Sequence, residues 1–305
     1  MAQGRPVGHH FLPRFYLKAF SFENREIPPI WVHEKDHVPR ILPISVVAKE
    51  THLYSTKKND QESRDTINET VLGKIEDYIA PVFRKILENE GNIILSTEEK
   101  THFAAFVLLM SDRTPRAFRI IDKSFKKHEV ETYHKAMGQM TDKDFKIVYE
   151  SVLSRHPEMQ NVSFAEAKQI MLEGPTVDNI RLSHSAGIYS MWASVEQMLP
   201  VVMKMDWKFW VPDDNRVFFT SDDPVVATIR DERGLLRPLK PGWGHPSVEV
   251  TLPLAPRLCC CVSHGGGTGR LLLGDEGVPF MNELRVIMSN RFIYSSRKLD
   301  LGGSI

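Results

Sequence analysis

Trp207-Lys208-Phe209-Trp210-Val211 is followed by Pro212-Asp213-Asp214-Asn215 and then by Arg216-Val217-Phe218-Phe219-Thr220. Aromatic and β-branched residues crowd both runs, and the four residues between them are turn formers. The stretch therefore reads as two strands around a turn. It marks a change of character along the chain. Downstream, Val248 to Leu254, Leu258 to Ser263 and Arg270 to Leu273 also read as strands, followed by a helix near 279–289 and a last strand from Arg291 to Ser295. Upstream, between about 66 and 204, apolar residues fall at helical spacing instead.

In that upstream part, Ile67, Val71, Ile75, Ile79, Phe83 and Ile86 repeat along a helix predicted from Thr66 to Glu90. Pro81 should kink it and Gly91 should stop it. Ser96-Thr97-Glu98-Glu99 is a capping box for the next helix, which buries Phe103, Phe106, Val107 and Met110. Thr114-Pro115 breaks the pattern, which resumes to about residue 138. Further helices are predicted at 142–155, 163–173 and 178–204. Nearer the start, Pro13 to Phe20 reads as a short helix, with Leu12, Tyr16 and Phe20 on one face. Ile30 to His33 and Val38 to Leu42 read as a hairpin turning at Lys35-Asp36.

Helices and strands are thus segregated along the chain, which predicts an α+β fold over a doubly wound sheet. The expected architecture is a helical middle region packed on a mainly antiparallel sheet, built from the N-terminal hairpin and the C-terminal third. One domain is expected over 1–305, with a β/α opening segment (1–60), a helical region (61–204) and a β-rich region (205–305).

The composition, 42% hydrophobic and 26% charged over 305 residues, is that of a globular chain and excludes a disordered one. Lys plus Arg and Asp plus Glu number 39 each, so a chain-wide field that would draw nucleic acid is absent and any polyanion site must be a local patch. The three cysteines, Cys259, Cys260 and Cys261, are consecutive. Neighbours on a strand point to opposite faces, so they cannot converge on one metal or form a disulfide framework. Free thiols, a polar stretch from Gly4 to His10 in place of a signal peptide, and the lack of an apolar run of about 18 residues lead to the expectation of a cytoplasmic protein outside the membrane.

His9-His10-Phe11-Leu12-Pro13-Arg14-Phe15-Tyr16-Leu17 resembles the start of the bacterial and fungal domain-of-unknown-function family 4238. Tyr54, a helix carrying Glu69 and Glu76, Arg113-Thr114-Pro115-Arg116, Thr220-Ser221-Asp222-Asp223-Pro224 and Pro253-Leu254-Ala255-Pro256-Arg257 are similar to its later blocks, in order. Asn290-Arg291 leading to Tyr294-Ser295 fits its closing segment. The family more often shows Asn where this chain has Asp223. The resemblance implies an architecture and a shortlist of residues, but no activity.

Four constellations carry candidate chemistry. His9 and His10 precede a predicted helix start, where the helix dipole, Arg5 and Arg14 disfavour imidazolium; neutral rings can bind metal or act as a general base. One of them can equally well pack in the core. Asp222 and Asp223 end an apolar strand and can hold a divalent cation or orient a histidine; Ser and Asp before Pro also make ordinary turns. Glu69 and Glu76 share a helix face about 10.5 Å apart, too far for one metal ion. Glu76, between Ile75 and Ile79, suits a partly buried role better, and solvated surface carboxylates are the rival reading.

Last, Arg113, Arg116, Arg119, Lys123 and Lys127 form a stripe on one helix face that can meet phosphate or nucleic-acid backbone. An ordinary amphipathic helix gives the same pattern, and Arg113 and Arg116 can instead pair with acids inside the fold. His264-Gly265-Gly266-Gly267 lacks the Gly-x-Ser-x-Gly elbow of an esterase, and no phosphate loop, dinucleotide fingerprint or His-Glu-x-x-His is present. Two readings follow. One is a metal-assisted phosphoester hydrolase or nuclease, with His9, His10, Glu76 and Asp222 as catalytic residues, a divalent metal, and Arg113, Arg116, Lys123 and Asp223 binding the ligand. The other is a non-catalytic protein whose basic stripe meets an anionic partner such as nucleic acid.

Overall fold

The structure, a computed structural model, describes residues 8–23, 25–54, 56–57, 64–65, 67–180, 184–230, 236–237 and 242–301. Arg5 and the first part of the Gly4–His10 stretch lie outside them. β1 (Gly8–His10) leads through Pro13 into α1 (Arg14–Ala19). β2 (Pro29–Glu34) and β3 (Arg40–Pro43) form the expected hairpin, and β4 (Lys49–Thr51) turns back onto β1. Two short paired strands follow, β5 (Thr56–Lys57) and β6 (Arg64–Asp65).

α2 (Ile67–Glu88) contains Pro81, and Gly91 follows its end at φ 73. α3 (Thr97–Asp112) opens on the predicted capping box: Ser96 Oγ accepts from the Glu99 N–H, and Glu99 Oε2 accepts from the Ser96 N–H. α4 (Pro115–Gln139) starts at the proline, whose missing N–H is harmless in a first turn. α5 (Asp142–Arg155), α6 (Phe164–Glu173) and α7 (His184–Lys204) complete the helical stretch. After it come β7 (Asp206–Pro212), β8 (Thr220–Ser221), β9 (Val226–Arg230), β10 (Leu236–Arg237), β11 (Val248–Ala255), β12 (Leu258–Ser263), β13 (Gly269–Leu273), α8 (Gly277–Met288) and β14 (Phe292–Ser295).

The chain forms two compact units. Arg119–Gly187 holds most of α4 with α5 and α6. There Phe145 is buried, Lys168 lies 5.5 Å from its ring centroid, and Tyr149 Oη donates to the Val162 carbonyl at 2.6 Å. Gly174 ends α6 at φ 59, and a Cβ there would stand 2.4 Å from the Tyr133 ring, so only glycine fits.

Met1–Phe118 with Ile188–Ile305 carries the sheets. The fold is α+β, as the segregation of elements predicts, and the sheets are antiparallel apart from the β13–β7 pair. The single expected sheet is in fact several. The N-terminal hairpin joins the C-terminal third in a four-stranded sheet of order β3-β2-β14-β8, while β10-β9-β11-β12-β7-β13 is a six-stranded sheet of the C-terminal third alone. Tyr16, Phe83, Phe103 and Phe106 pack against Trp207, Phe209 and Leu252 in the main core.

The two strands read around the 212–215 turn do not pair with each other. β7 pairs with β12 and β13, whereas β8 pairs with β14 in the other sheet. The turn signal at 212–215 is local. Against it, β12 offers five successive ladder partners and burial of both β7 faces, Trp207 and Phe209 in one core cluster and Trp210 in another. Loop carbonyls freed in this way are satisfied by the Arg257 guanidinium, which donates to Pro212, Asp214 and Arg216.

The cysteines obey the strand alternation: Cys260 lies in the main core, while Cys259 and Cys261 face α8, and all three are free thiols. On α8, Arg285 is fully buried without a carboxylate partner among the described residues. Nη2 donates to Thr251 Oγ1 at 2.7 Å and Nη1 to the Met281 carbonyl at 3.3 Å, while Nε has no partner. Burial pushes its pKa below the ordinary arginine value. No helix among the described residues is long and apolar enough to cross a membrane.

Candidate functional site

His9 and His10 sit on β1, not at the mouth of a helix, and successive strand residues face opposite ways. They are therefore not a side-by-side pair. His9 is fully buried and stacks on Tyr54, with ring centroids 5.7 Å apart and planes 9° from parallel. Its Nδ1 accepts the Tyr54 backbone N–H at 3.0 Å, so that nitrogen carries a lone pair. Glu69 Oε2 is 3.8 Å from the same nitrogen, beyond hydrogen-bond reach. That oxygen is buried with no hydrogen-bond partner, and desolvation raises the Glu69 pKa while Arg113 opposes the rise.

His10 faces a different set of groups. The β1–β4 register places it directly across from Lys49, and directly opposed residues share a face. Burial, then Lys49, Arg14 and Arg113 lower its pKa to about 4, against a hydrogen bond to the Val47 backbone. The ring is neutral, as the sequence predicts, with desolvation as the main cause and Arg14 among the cations that add to it; Arg5 lies outside the described residues. His10 Nδ1 is buried and has no partner. Arg14 and Lys49 are both exposed, and neither has an ion pair among the described residues. β4 is bracketed by Ala48 at φ 50 and His52 at φ 59, two non-glycine residues in the left-handed region. Backbone strain is thus concentrated around the strand that presents Lys49.

Arg113, the C-cap of α3, is buried, and each of its three side-chain nitrogens donates a hydrogen bond. Nη1 donates to Glu76 Oε1 at 2.7 Å, Nη2 to the His10 carbonyl at 2.9 Å, and Nε to Tyr54 Oη at 3.4 Å. Tyr54 Oη in turn donates to the Arg113 carbonyl at 2.7 Å. Glu76 is therefore the counter-ion of Arg113, one of the roles open to it in the sequence. Thr114 Oγ1 donates to Asp223 Oδ1 at 3.3 Å. Arg116 Nη1 donates to Asp223 Oδ2 at 3.1 Å and also to the Met288 carbonyl.

Arg113 and Arg116 thus spend their charge inside the fold. Of the remaining stripe, Lys127 pairs with Glu131 at 3.6 Å, and Lys123 is exposed on α4. Asp222 accepts three backbone N–H groups, from Asn290 (2.8 Å), Arg291 (2.8 Å) and Phe292 (3.1 Å), and so locks the turn between α8 and β14. Burial outweighs those bonds and lifts its pKa to about 6.

His9, His10, Glu76 and Asp222 do not supply three ligand atoms to one ion. Among the described residues, the cluster that meets this test is Asp213, Asp214 and Asp275, at the end of β7. What the fold does gather is a network of the sequence motifs: His9 with Tyr54, Tyr54 and Glu76 with Arg113, Asp223 with Thr114 and Arg116. Outside that network of satisfied bonds stands His10, with Lys49 and Arg14. Arg14 belongs to the opening run and its effect on the ring is read from the sequence, whereas Lys49 carries no motif signal and is brought opposite His10 by the strand register alone.

Searches of curated proteins and of solved structures find no match to this chain. A family model described as "Protein of unknown function (DUF4238)" matches residues 8–299, the span that holds every constellation above, and the chain belongs to that family.

Proposed function

We propose that the protein hydrolyses a phosphate-bearing ligand at His10, with Arg14 and Lys49 holding the phosphate and His10 acting as the general base. One observation carries this reading: a buried imidazole nitrogen without a partner, on a ring whose pKa is lowered to about 4 by burial first and then by the charges of Lys49, Arg14 and Arg113. A base that weak abstracts little at neutral pH. A bound phosphate changes this, because its negative charge offsets the field of Lys49, Arg14 and Arg113 and raises the imidazole pKa toward neutrality. The base strengthens only when the ligand is in place. In the proposed step a water gives its proton to His10 Nδ1 as its oxygen bonds to phosphorus. The ester P–O bond breaks, and the imidazolium returns the proton to the leaving oxygen. Arg113 acts as a positioning residue through its bond to the His10 carbonyl. This chemistry does not call on Asp222, whose carboxylate already accepts three N–H groups.

The test is an NMR titration of the His10 ring with and without inorganic phosphate. The expected result is a rise of about one to two pKa units on adding phosphate, lost in the Arg14→Gln/Lys49→Gln double variant. A His10 titration indifferent to phosphate refutes the reading.

A further inference from the structure

A cavity remote in the sequence from the His10 cluster has a volume of about 420 Å³. That is within the range that takes small-molecule ligands. It opens between the extended segment 92–96 and the edge of the six-stranded sheet where β13 lies beside β7. Ile93, Ile94 and Leu95 form one wall, and Trp207 lies in the other. The wall is fixed in place. Gly91 packs so tightly on β7 that a Cβ there would stand 2.3 Å from Phe209 Cβ.

Two features call for a ligand. The first is Ile94, which is 95% exposed at the lip although it is a large aliphatic residue. The second is charge. Lys100 and Arg270 line the cavity, and among the described residues no carboxylate does. Lys100 Nζ donates to the Met203 and Met205 carbonyls at 2.9 and 3.4 Å and lies 5.9 Å from the Trp207 ring centroid. An ammonium has three donors, so one N–H is left over. Arg270 reaches Glu90 at only 3.5 Å in an exposed pair, which holds it weakly.

We infer that this cleft binds a small amphipathic anion, with an aromatic or aliphatic body against Ile94, Leu95 and Trp207 and an acidic head between Lys100 and Arg270. The inference is independent of the phosphate site, since the two share no residue.

The probe is 1-anilinonaphthalene-8-sulfonate with the full chain, read by fluorescence and calorimetric stoichiometry. One equivalent binds. N-phenyl-1-naphthylamine, the same body without the sulfonate, binds more weakly. Ile94→Glu places a carboxylate at the lip and lowers affinity about tenfold or more, while Ile94→Lys does not. Arg270→Gln also weakens binding. Because Ile94 and Arg270 are exposed, melting temperatures stay at the wild-type value. If Ile94→Glu and Arg270→Gln bind the sulfonate as the wild type does, the site is elsewhere and the inference falls. If the neutral analogue binds equally well, the cations play no part and the inference falls too.

Discussion

Replacing His10 by Gln removes one of two titrations that oppose each other in mild acid. His10 has a pKa lowered from 6.5 to about 4, so the folded state binds fewer protons than the unfolded chain between those values. Its contribution is complete above pH 6.5 and is lost as pH falls toward 4. Asp222 is shifted the other way, from 3.8 up to about 6. There the folded state holds the proton more tightly, so stability rises as pH falls from 6 to 4. Between pH 7 and pH 5 the His10 loss is about 2 kcal/mol undiscounted and about 1 kcal/mol after allowing for its partial exposure, and the Asp222 gain is about 1 kcal/mol.

In the wild type these two nearly cancel. His10→Gln keeps an N–H for the Val47 backbone and leaves the Asp222 gain unopposed. Urea denaturation of both proteins at pH 7 and pH 5 isolates the effect, because every other group contributes equally to wild type and variant. The double difference is expected at about 1–2 kcal/mol, with the variant relatively more stable at pH 5. A double difference near zero would mean that His10 titrates as an ordinary histidine, and one of opposite sign that folding raises its pKa; in either case the proposed base would lose its physical basis.

Three further outcomes are expected. Arg285→Met removes a buried cation that has no carboxylate partner among the described residues, and Thr251 Oγ1 keeps its bond to the Val226 carbonyl, so stability should be unchanged or rise by about 1–4 kcal/mol in urea melts. A clear loss would show that the guanidinium has an anionic partner. Arg113→Met leaves Glu76, Tyr54 and the His10 carbonyl without their shared donor, and thermal denaturation should report a loss of about 3–5 kcal/mol. Ellman's reagent should find no reactive thiol in the native protein and all three after denaturation, because burial raises the pKa of Cys259 to about 11 and shuts out the reagent from every cysteine; a fast native reaction would contradict the packing of β12.

Part of this molecule could be read one residue at a time. Helix ends at Ser96, Pro115, Ser163 and Gly174 follow from side chains that satisfy, or a glycine that relaxes, the nearest few backbone groups. The fates of Cys259, Cys260 and Cys261 follow from strand alternation. The α+β class follows from the change of apolar period near residue 207. These are short-range properties, and the sequence carries them directly.

The partnerships lie beyond that range. Neither the 207–220 turn signal nor β8 itself reveals that β8 joins β14 in place of β7, because ladder pairing is decided by burial across the whole sheet. The charge on Arg113 and Arg116 reads as a solvent-facing stripe until Glu76 and Asp223, 37 and 107 residues away, are brought beside them. His9-His10 looks like a pair because the residues are adjacent in sequence. On a strand, adjacency separates them: one imidazole is spent on Tyr54, and the other stands beside Lys49 and Arg14. Sequence thus determined which groups were present and which local shapes they preferred. Tertiary structure decided which of them are neutralised, since the energy of a charge depends on its distance to an opposite charge and on its loss of water, and both are set only when distant segments meet.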